Sequence, residues 1–274
     1  MNTQLSDLQK LQLEILKEFI RVCDALNLRY YLVEGTMLGA QRHQGFIPWD
    51  DDIDVGMPRK DYEIFQREAP KLLNPRYFMS NHRNNEKHYW MTIILFDKHN
   101  KVILSNATEK IESYVWIDVI PLEGMPDGAF RQKLHFYHYY YYRVLYNISH
   151  FSKIVNVNKP RPLPEKMVIK LLSIINPEKH INSVKVCDKL HKVLSKYDFD
   201  KSKYVMQIIS EYKMKELMPR EWFGNGKDYV FEGISAVGVS DSDKYLTKLY
   251  GDYLRLPPVE KRVGKHNAEI IKVN

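Results

Sequence analysis

Gly45-Phe46-Ile47-Pro48-Trp49-Asp50-Asp51-Asp52-Ile53-Asp54-Val55 decides how this chain is read, because a cluster of aspartates passes directly into polar–apolar alternation. Side chains two apart on a strand point to the same side. Asp52 and Asp54 therefore face one site while Ile53 and Val55 point into a core. Two neighbouring carboxylates repel unless a cation lies between them, and Mg²⁺, with Mn²⁺ as its substitute, is the usual partner where phosphates are handled. Just upstream, Gly35-Thr36-Met37-Leu38-Gly39-Ala40 is a glycine-containing turn of the kind that lets backbone amides approach phosphate oxygens. It is neither the Walker pattern nor the dinucleotide fingerprint. Alone it reads as a turn; beside the aspartates it points to phosphoryl-group chemistry, with Gly35, Thr36 and Gly39 as substrate-binding candidates. The twelve-residue oxygen pattern of a calcium loop is absent.

Working outward, 274 residues suffice for one large domain or a domain with a substantial appendage, and 44% hydrophobic with 27% charged residues describe a folded chain. Cys23 and Cys187 are too few for a disulfide framework or a structural zinc cluster and fit a reducing compartment. The first residues lack a basic region followed by an apolar run, and no apolar stretch reaches the length of a membrane span. The expectation is a cytoplasmic protein, at most in peripheral contact with the inner face of the cytoplasmic membrane. Charge divides unevenly: residues 1–130 hold 15 Lys/Arg against 19 Asp/Glu, whereas residues 131–274 hold 26 against 15. A basic second half suits a phosphate-bearing substrate, an anionic bilayer or solvation alone. No recognised nucleic-acid motif accompanies it, and nucleic acid is not expected as a partner.

Apolar positions Leu8, Leu11, Ile15, Phe19 and Val22 recur at helical steps, which predicts a helix over 7–26 capped by Ser6 or Asp7. A buried strand at 30–33, a short helix at 36–40, a turn at 42–45, a strand at 53–57 and a helix from Arg59 follow. Further strands are expected at 77–80, 89–95 and 116–122, with 102–104 as a hairpin partner. The fold class is thus α/β (α+β), a mixed sheet flanked by helices, with a largely helical C-terminal half. The aromatic run Phe136-Tyr137-His138-Tyr139-Tyr140-Tyr141-Tyr142 belongs to a helix, and core packing, a sugar platform and a membrane interface compete to explain it. Lys159-Pro160-Arg161-Pro162-Leu163-Pro164 marks a connection, followed by helices near 165–175 and 182–196, and a further helix near 204–209. The ending is expected to hold a short strand or turn at 222–223 and a helix over 243–249. The charge division suggests a catalytic core at 1–130 and a basic, mainly helical acceptor-binding region at 131–274 whose final motif returns to the core.

Asp118 stands alone among apolar residues in Trp116-Ile117-Asp118-Val119-Ile120. A buried unpaired carboxylate is costly, so it either faces a site, as a third carboxylate beside Asp52 and Asp54, or has a specific partner. Arg42 can pair with a diphosphate through its planar guanidinium. His43 can donate to phosphate or order its turn, and Arg59 and Lys60 either bind substrate or face solvent at a helix start.

Glu34–Ala40, Arg42-His43, the 45–54 stretch and Arg59-Lys60-Asp61-Tyr62 together closely resemble the LicD family of phosphocholine transferases, related to the fukutin-type ribitol-phosphate transferases. The resemblance continues at Ile117–Leu122, Tyr245-Leu246, Tyr250-Gly251-Asp252-Tyr253, Leu256-Pro257-Pro258 and His266. It implies a nucleotidyltransferase-like fold and a divalent metal held by Asp52 and Asp54, with Asp118 in the place of the third carboxylate. It further implies transfer of phosphocholine from CDP-choline to a sugar hydroxyl on a bacterial surface glycan, such as a lipopolysaccharide, teichoic acid or capsule, or on its lipid-linked precursor. CDP-glycerol and CDP-ribitol are alternative donors, and a non-catalytic glycan-binding role is the alternative of a different class. Trp49 and Trp222 are guesses for a face that would accept a quaternary ammonium, and Tyr250 and Tyr253 either close over the nucleotide or serve structure.

Overall fold

The computed structural model describes residues 5–85, 87–104, 111–154, 162–264, 266 and 268–271. The first helix, α1 (Asp7–Leu26), begins with a reciprocal cap in which Ser6 Oγ accepts from the Gln9 amide and Gln9 Oε1 accepts from the Ser6 amide. It ends at Asn27, whose left-handed backbone (φ 52°) lets the chain turn into β1 (Tyr31–Leu32). The helix buries Ile15, Leu16, Phe19 and Val22 completely against the sheet. Next come α2 (Glu34–His43), β2 (Asp54–Pro58) and α3 (Arg59–Glu68), the last beginning directly after Pro58 closes its strand. Ile53 and Val55 are fully buried, as the alternation requires.

Three strands complete the first half: β3 (Tyr77–Ser80), β4 (Ile93–Leu104) and β5 (Ile111–Met125). Residues 102–104 are not the hairpin partner of 89–95, as expected, but the far end of the same strand β4, and residues 89–92 precede it. The reason is a register shift between Asp97 and Lys101 that keeps β4 continuous against β5. Asp97 is fully buried there and accepts hydrogen bonds from the Arg76 guanidinium, the His99 amide and Asn100 Nδ2. What looks like turn chemistry in the sequence is the inside of a bulge.

The second half supplies helices α4 (Ala129–Ser149), α5 (Phe151–Ile154), α6 (Leu163–Ile175) and α7 (Ser183–Leu194). It continues with β6 (Tyr204–Met206), β7 (Met218–Pro219), the hairpin β8 (Lys227–Phe231) and β9 (Ile234–Gly238), α8 (Ser242–Tyr250) and β10 (Ala268–Ile271). The helix expected near 204–209 is instead β6, paired antiparallel with the C-terminal end of β5. Residues 159–161 of the expected connection lie outside the described residues.

The sheet runs β10-β4-β5-β2-β1-β9-β8, with β3 also on β4 and β6 extending the end of β5 to β7. Its two central strands, β2 and β5, are parallel, while β4 with β5 and β1 with β2 are antiparallel, so it is a mixed sheet. Strands β8, β9 and β10 come from the end of the chain, which brings the last residues back to both edges. A second, smaller core of Met125, Phe136, Tyr139, Leu190, Leu194 and Met206 packs α4 against α7. Among the described residues no helix is long and apolar enough to cross a membrane.

Candidate active site

Helix α1 fixes the acidic loop from beneath. Gln9 Nε2 donates to the Asp50 carbonyl at 3.0 Å, and Gln12 Nε2 donates to the Asp51 carbonyl at 2.9 Å. Both glutamines are buried, so neither hydrogen bond competes freely with water. The loop then enters β2, where the Asp54 amide donates to Thr36 Oγ1 at 2.8 Å and the Asp54 carbonyl accepts from the Val33 amide. On the other side, β5 runs parallel with Asp118 directly opposite Asp54, and the Asp118 amide donates to the Ile53 carbonyl at 2.9 Å. Two carboxylates from distant parts of the chain thus share one end of the central strand pair.

Asp52 completes the group through electrostatics. Burial pushes Asp118 up to about 7; the His266 charge acts against that rise, and the Asp52 carboxylate adds to it. Trp116 Nε1 donates to Asp118 Oδ2 at 3.0 Å and orients it. His266 Nε2 lies 2.9 Å from Asp52 Oδ2, and its backbone amide donates to Asp51 Oδ2 at 2.9 Å. Burial opposes protonation of this imidazole, but the Asp52 hydrogen bond and the charges of Asp52, Asp118 and Asp51 outweigh it and raise His266 to about 9. Its ring also meets Trp116 edge-on at 5.4 Å. The segment before it is held close, since a β-carbon at Gly264 would lie 2.7 Å from Asp51 Oδ2.

Could this group hold a divalent cation? The donors are hard carboxylate oxygens, the class that suits Mg²⁺ and Mn²⁺. Ligand atoms of Asp51, Asp52 and His266 lie within 4.8 Å of one another. Burial and, after it, the Asp52 charge raise Asp118 against the charge of His266, and a divalent cation would favour the carboxylate form. The residues fit the ion.

The remaining candidates fall into separate places. Gly35 packs under the Asp50 carboxylate, where an added β-carbon would lie 2.8 Å from Oδ2. Thr36 is buried and its hydroxyl serves Asp54. Gly39 lies against the Gly45 carbonyl. Arg42 donates through Nη1 to the Tyr253 carbonyl at 2.7 Å and through Nε to His43 Nε2 at 3.0 Å; burial and the Arg42 charge lower His43 and keep it neutral to accept. Tyr253 donates its hydroxyl to Asp243, and Tyr250 packs edge-on against Tyr212 at 5.5 Å. Arg42, His43, Tyr250 and Tyr253 therefore join α2 to the segment around the end of α8. Arg59 is elsewhere. It starts α3 at the opposite end of β2, about 16 Å from Asp54 by strand rise, and is buried in an ion pair with Glu123 over the Tyr62 ring. Lys60 pairs with Asp198. One face of Trp49 carries Arg262 and one face of Trp222 carries Lys248.

A second acidic pair was not singled out in the sequence. Glu34, in a left-handed conformation (φ 45°), accepts from Gln207 Nε2 at 2.5 Å, and its amide donates to Tyr245 Oη. Burial first and the Glu34 charge second push Glu216 well above the usual carboxylate range, and Ser210 Oγ donates to it. Glu34 stands in the stretch that carries the family resemblance, whereas nothing in the sequence marks Glu216, which lies beyond β6. A cluster of His82, Cys187 and His191 also has metal-ligand spacing, but Arg59 donates to His191 Nδ1 and Asp188 holds His82 Nε2. With a guanidinium against it, that cluster is unsuited to a cation.

Comparison with known proteins agrees with this geometry. Residues 27–143 match the model of the LicD/FKTN/FKRP nucleotidyltransferase domain. The lipopolysaccharide cholinephosphotransferase LicD of Haemophilus influenzae is 27% identical over 272 residues, covering 97% of each chain. The ribitol 5-phosphate transferases FKRP of human and mouse are 42% identical over 70 residues, 24% of this chain and 14% of theirs. An uncharacterised Rickettsia prowazekii protein is 34% identical over 96 residues, about a third of each chain.

Proposed function

Residues 27–143 belong to the LicD/FKTN/FKRP nucleotidyltransferase-domain family, and from that premise we propose that this chain is a phosphotransferase acting on a glycan. Its donor is CDP-choline and its acceptor a sugar hydroxyl of a bacterial cell-surface glycan or the lipid-linked precursor, with CMP released. The observation that carries the reading is the pairing of Asp54 with Asp118 across parallel strands, joined by Asp52. The relative that matches along nearly the whole chain supports choline as the transferred alcohol.

Asp52, Asp54 and Asp118 would hold the divalent cation, Mg²⁺ with Mn²⁺ as substitute, which when bound supplies charge neutralisation at the donor diphosphate. The chain's own residues do the rest. The acceptor oxygen attacks the phosphorus bearing choline, and CMP departs from the opposite side with the bridging oxygen. Asp118 in its carboxylate form, its proton affinity raised by burial, orients that hydroxyl and accepts its proton. His266, cationic through its contact with Asp52, keeps the acidic loop from repelling an anionic donor. Arg42, which holds the Tyr253 carbonyl, is the guanidinium closest in sequence to the glycine turn.

The local match to ribitol 5-phosphate transferases favours a second reading with the same chemistry and a CDP-polyol donor. Incubation with Mg²⁺, a surface glycan or lipid-linked precursor, and separately CDP-choline, CDP-glycerol and CDP-ribitol tests both. Phosphocholine mass gain matched by CMP, reduced about a hundredfold or more in Asp52→Asn and Asp54→Asn, is the expected result. Gain only from a polyol donor selects the second reading, and no turnover on a competent panel favours a glycan-binding protein.

A further inference from the structure

Thirteen of the twenty large apolar side chains that stand exposed among the described residues lie between positions 129 and 175. They are ordered. Phe130, Leu134, Tyr137 and Tyr141 recur along one side of α4, and Leu163, Met167, Leu171 and Ile174 along α6. Spacings of three and four residues put each set on one helix face. Helix α6 buries no residue at all. Only Ile169 and Leu172 turn inward, half-buried toward Val144, Ile148 and Phe151, and exposed apolar faces of this kind mark interaction sites.

Charge selects the partner. Residues 129–175 contain eight Lys/Arg and a single acidic residue, Glu165. Helix α4 carries no Asp or Glu, and Lys166 and Lys170 lie on α6 among its apolar side chains. Two copies of this surface facing each other would bring like charges together. An anionic bilayer answers both properties: acyl chains take the apolar side chains, tyrosines occupy the headgroup level, and lysines meet lipid phosphates. We propose that the exposed faces of α4 and α6 dock this protein on the surface of an anionic lipid bilayer.

The docking faces connect to the candidate active site. Tyr146 of α4 donates its hydroxyl to the Trp90 carbonyl at 3.0 Å. Lys153 of α5 donates to the Lys87 carbonyl and lies 5.9 Å from the Tyr89 ring. The segment at 87–92 thus touches the docking helices and runs directly into β4, where Ile94 stands opposite Asp118. A bilayer held there would present the hydroxyl of a lipid-linked sugar beside Asp118, and only this consequence rests on the transferase reading.

Flotation of the full chain with phosphatidylcholine vesicles containing phosphatidylglycerol, against pure phosphatidylcholine vesicles, tests the proposal without requiring turnover. Partition onto the anionic vesicles at least tenfold above the neutral ones is expected, falling as salt exceeds the physiological range. Leu171→Asp with Ile174→Asp should lower partition at least tenfold, and Lys166→Glu with Lys170→Glu should remove the preference for anionic lipid. All four side chains are exposed, so thermal melts of the variants should match the parent. Equal partition onto both vesicles, or variants that float like the parent, overturns the proposal. So does a concentration-dependent dimer that the Asp variants abolish while vesicle binding is absent. Vesicle binding without CMP release from any donor leaves the docking surface standing and counts against the transferase reading alone.

Discussion

A β-carbon added at Gly39 would lie 2.4 Å from the backbone oxygen of Gly45 and 3.3 Å from the Ile47 amide. Both neighbours are main chain, so the clash is relieved only by moving the loop that leads to the aspartates. Gly39→Ala should therefore cost about 1–3 kcal/mol, the range for overpacking a filled site, read as a lowered midpoint in denaturant unfolding. Gly35→Ala meets only the end of the Asp50 side chain, which can turn aside, and should be milder. Two glycines of one motif thus answer to different constraints. The aspartates at 52 and 54 are legible in sequence because a period of two is a strand's own signature. Gln9 and Gln12 are not, because an amphipathic pattern reports the apolar stripe and passes over polar residues that the same stripe buries. His266 stands 214 residues from its partner Asp52, and no local pattern announces a contact made by the return of the chain to β4.

Between elements, the bond that joins α3 to β5 is the one most exposed to test. Arg59 Nε donates to Glu123 Oε2 at 3.1 Å, and the two side chains are 7% and 0% exposed. Removing either partner leaves the other charge buried without its counterpart, whereas replacing both with apolar groups does not. Arg59→Ala or Glu123→Ala alone should lower stability by about 3–5 kcal/mol, and Arg59→Met with Glu123→Leu should restore most of it. Urea unfolding of the four proteins measures this. Recovery in the double variant marks a structural pair; if the double variant folds well yet loses donor binding, Arg59 serves substrate as its sequence context suggested. The basic residue at a helix start was readable, but its burial follows from β5 running on to Glu123, past the end of β2. Likewise the register shift in β4 depends on Asp97 finding Arg76, a pairing across strands that turn propensity cannot express.

Across the whole molecule, buried imidazoles set how the fold responds to acid. His88 is 2% exposed, with Ser80 Oγ on Nδ1 and the Thr92 carbonyl on Nε2, and burial lowers it to about 4. His135 is 5% exposed against Tyr197, and burial with the Lys196 charge lowers it to about 4 as well. In an unfolded chain both would titrate near 6.5. Between those values the unfolded state binds protons that the native state refuses, so falling pH favours unfolding. Their contribution is complete above about pH 6.5 and is lost as pH drops toward 4, at a cost of about 3 kcal/mol for each imidazole. His266 works in the opposite sense: raised to about 9 by Asp52, it stabilises at low pH and loses that contribution as pH climbs from about 6.5 to 9. Asp118, raised to about 7, and Glu216, raised by burial, work against the acid loss, because each holds its proton in the native state at a pH where the unfolded chain has released it. The imidazole contributions are therefore read by comparing variants with the parent on each limb of the melting curve in the presence of chelator. His88→Gln should lower the melting temperature near neutrality yet flatten the acid limb, because the substituted residue takes up no proton. His266→Gln should flatten the alkaline limb. If the His88→Gln and parent curves ran parallel from about pH 7 down to 4, the His88 imidazole would be open to water and the loop before β4 would not be packed as described.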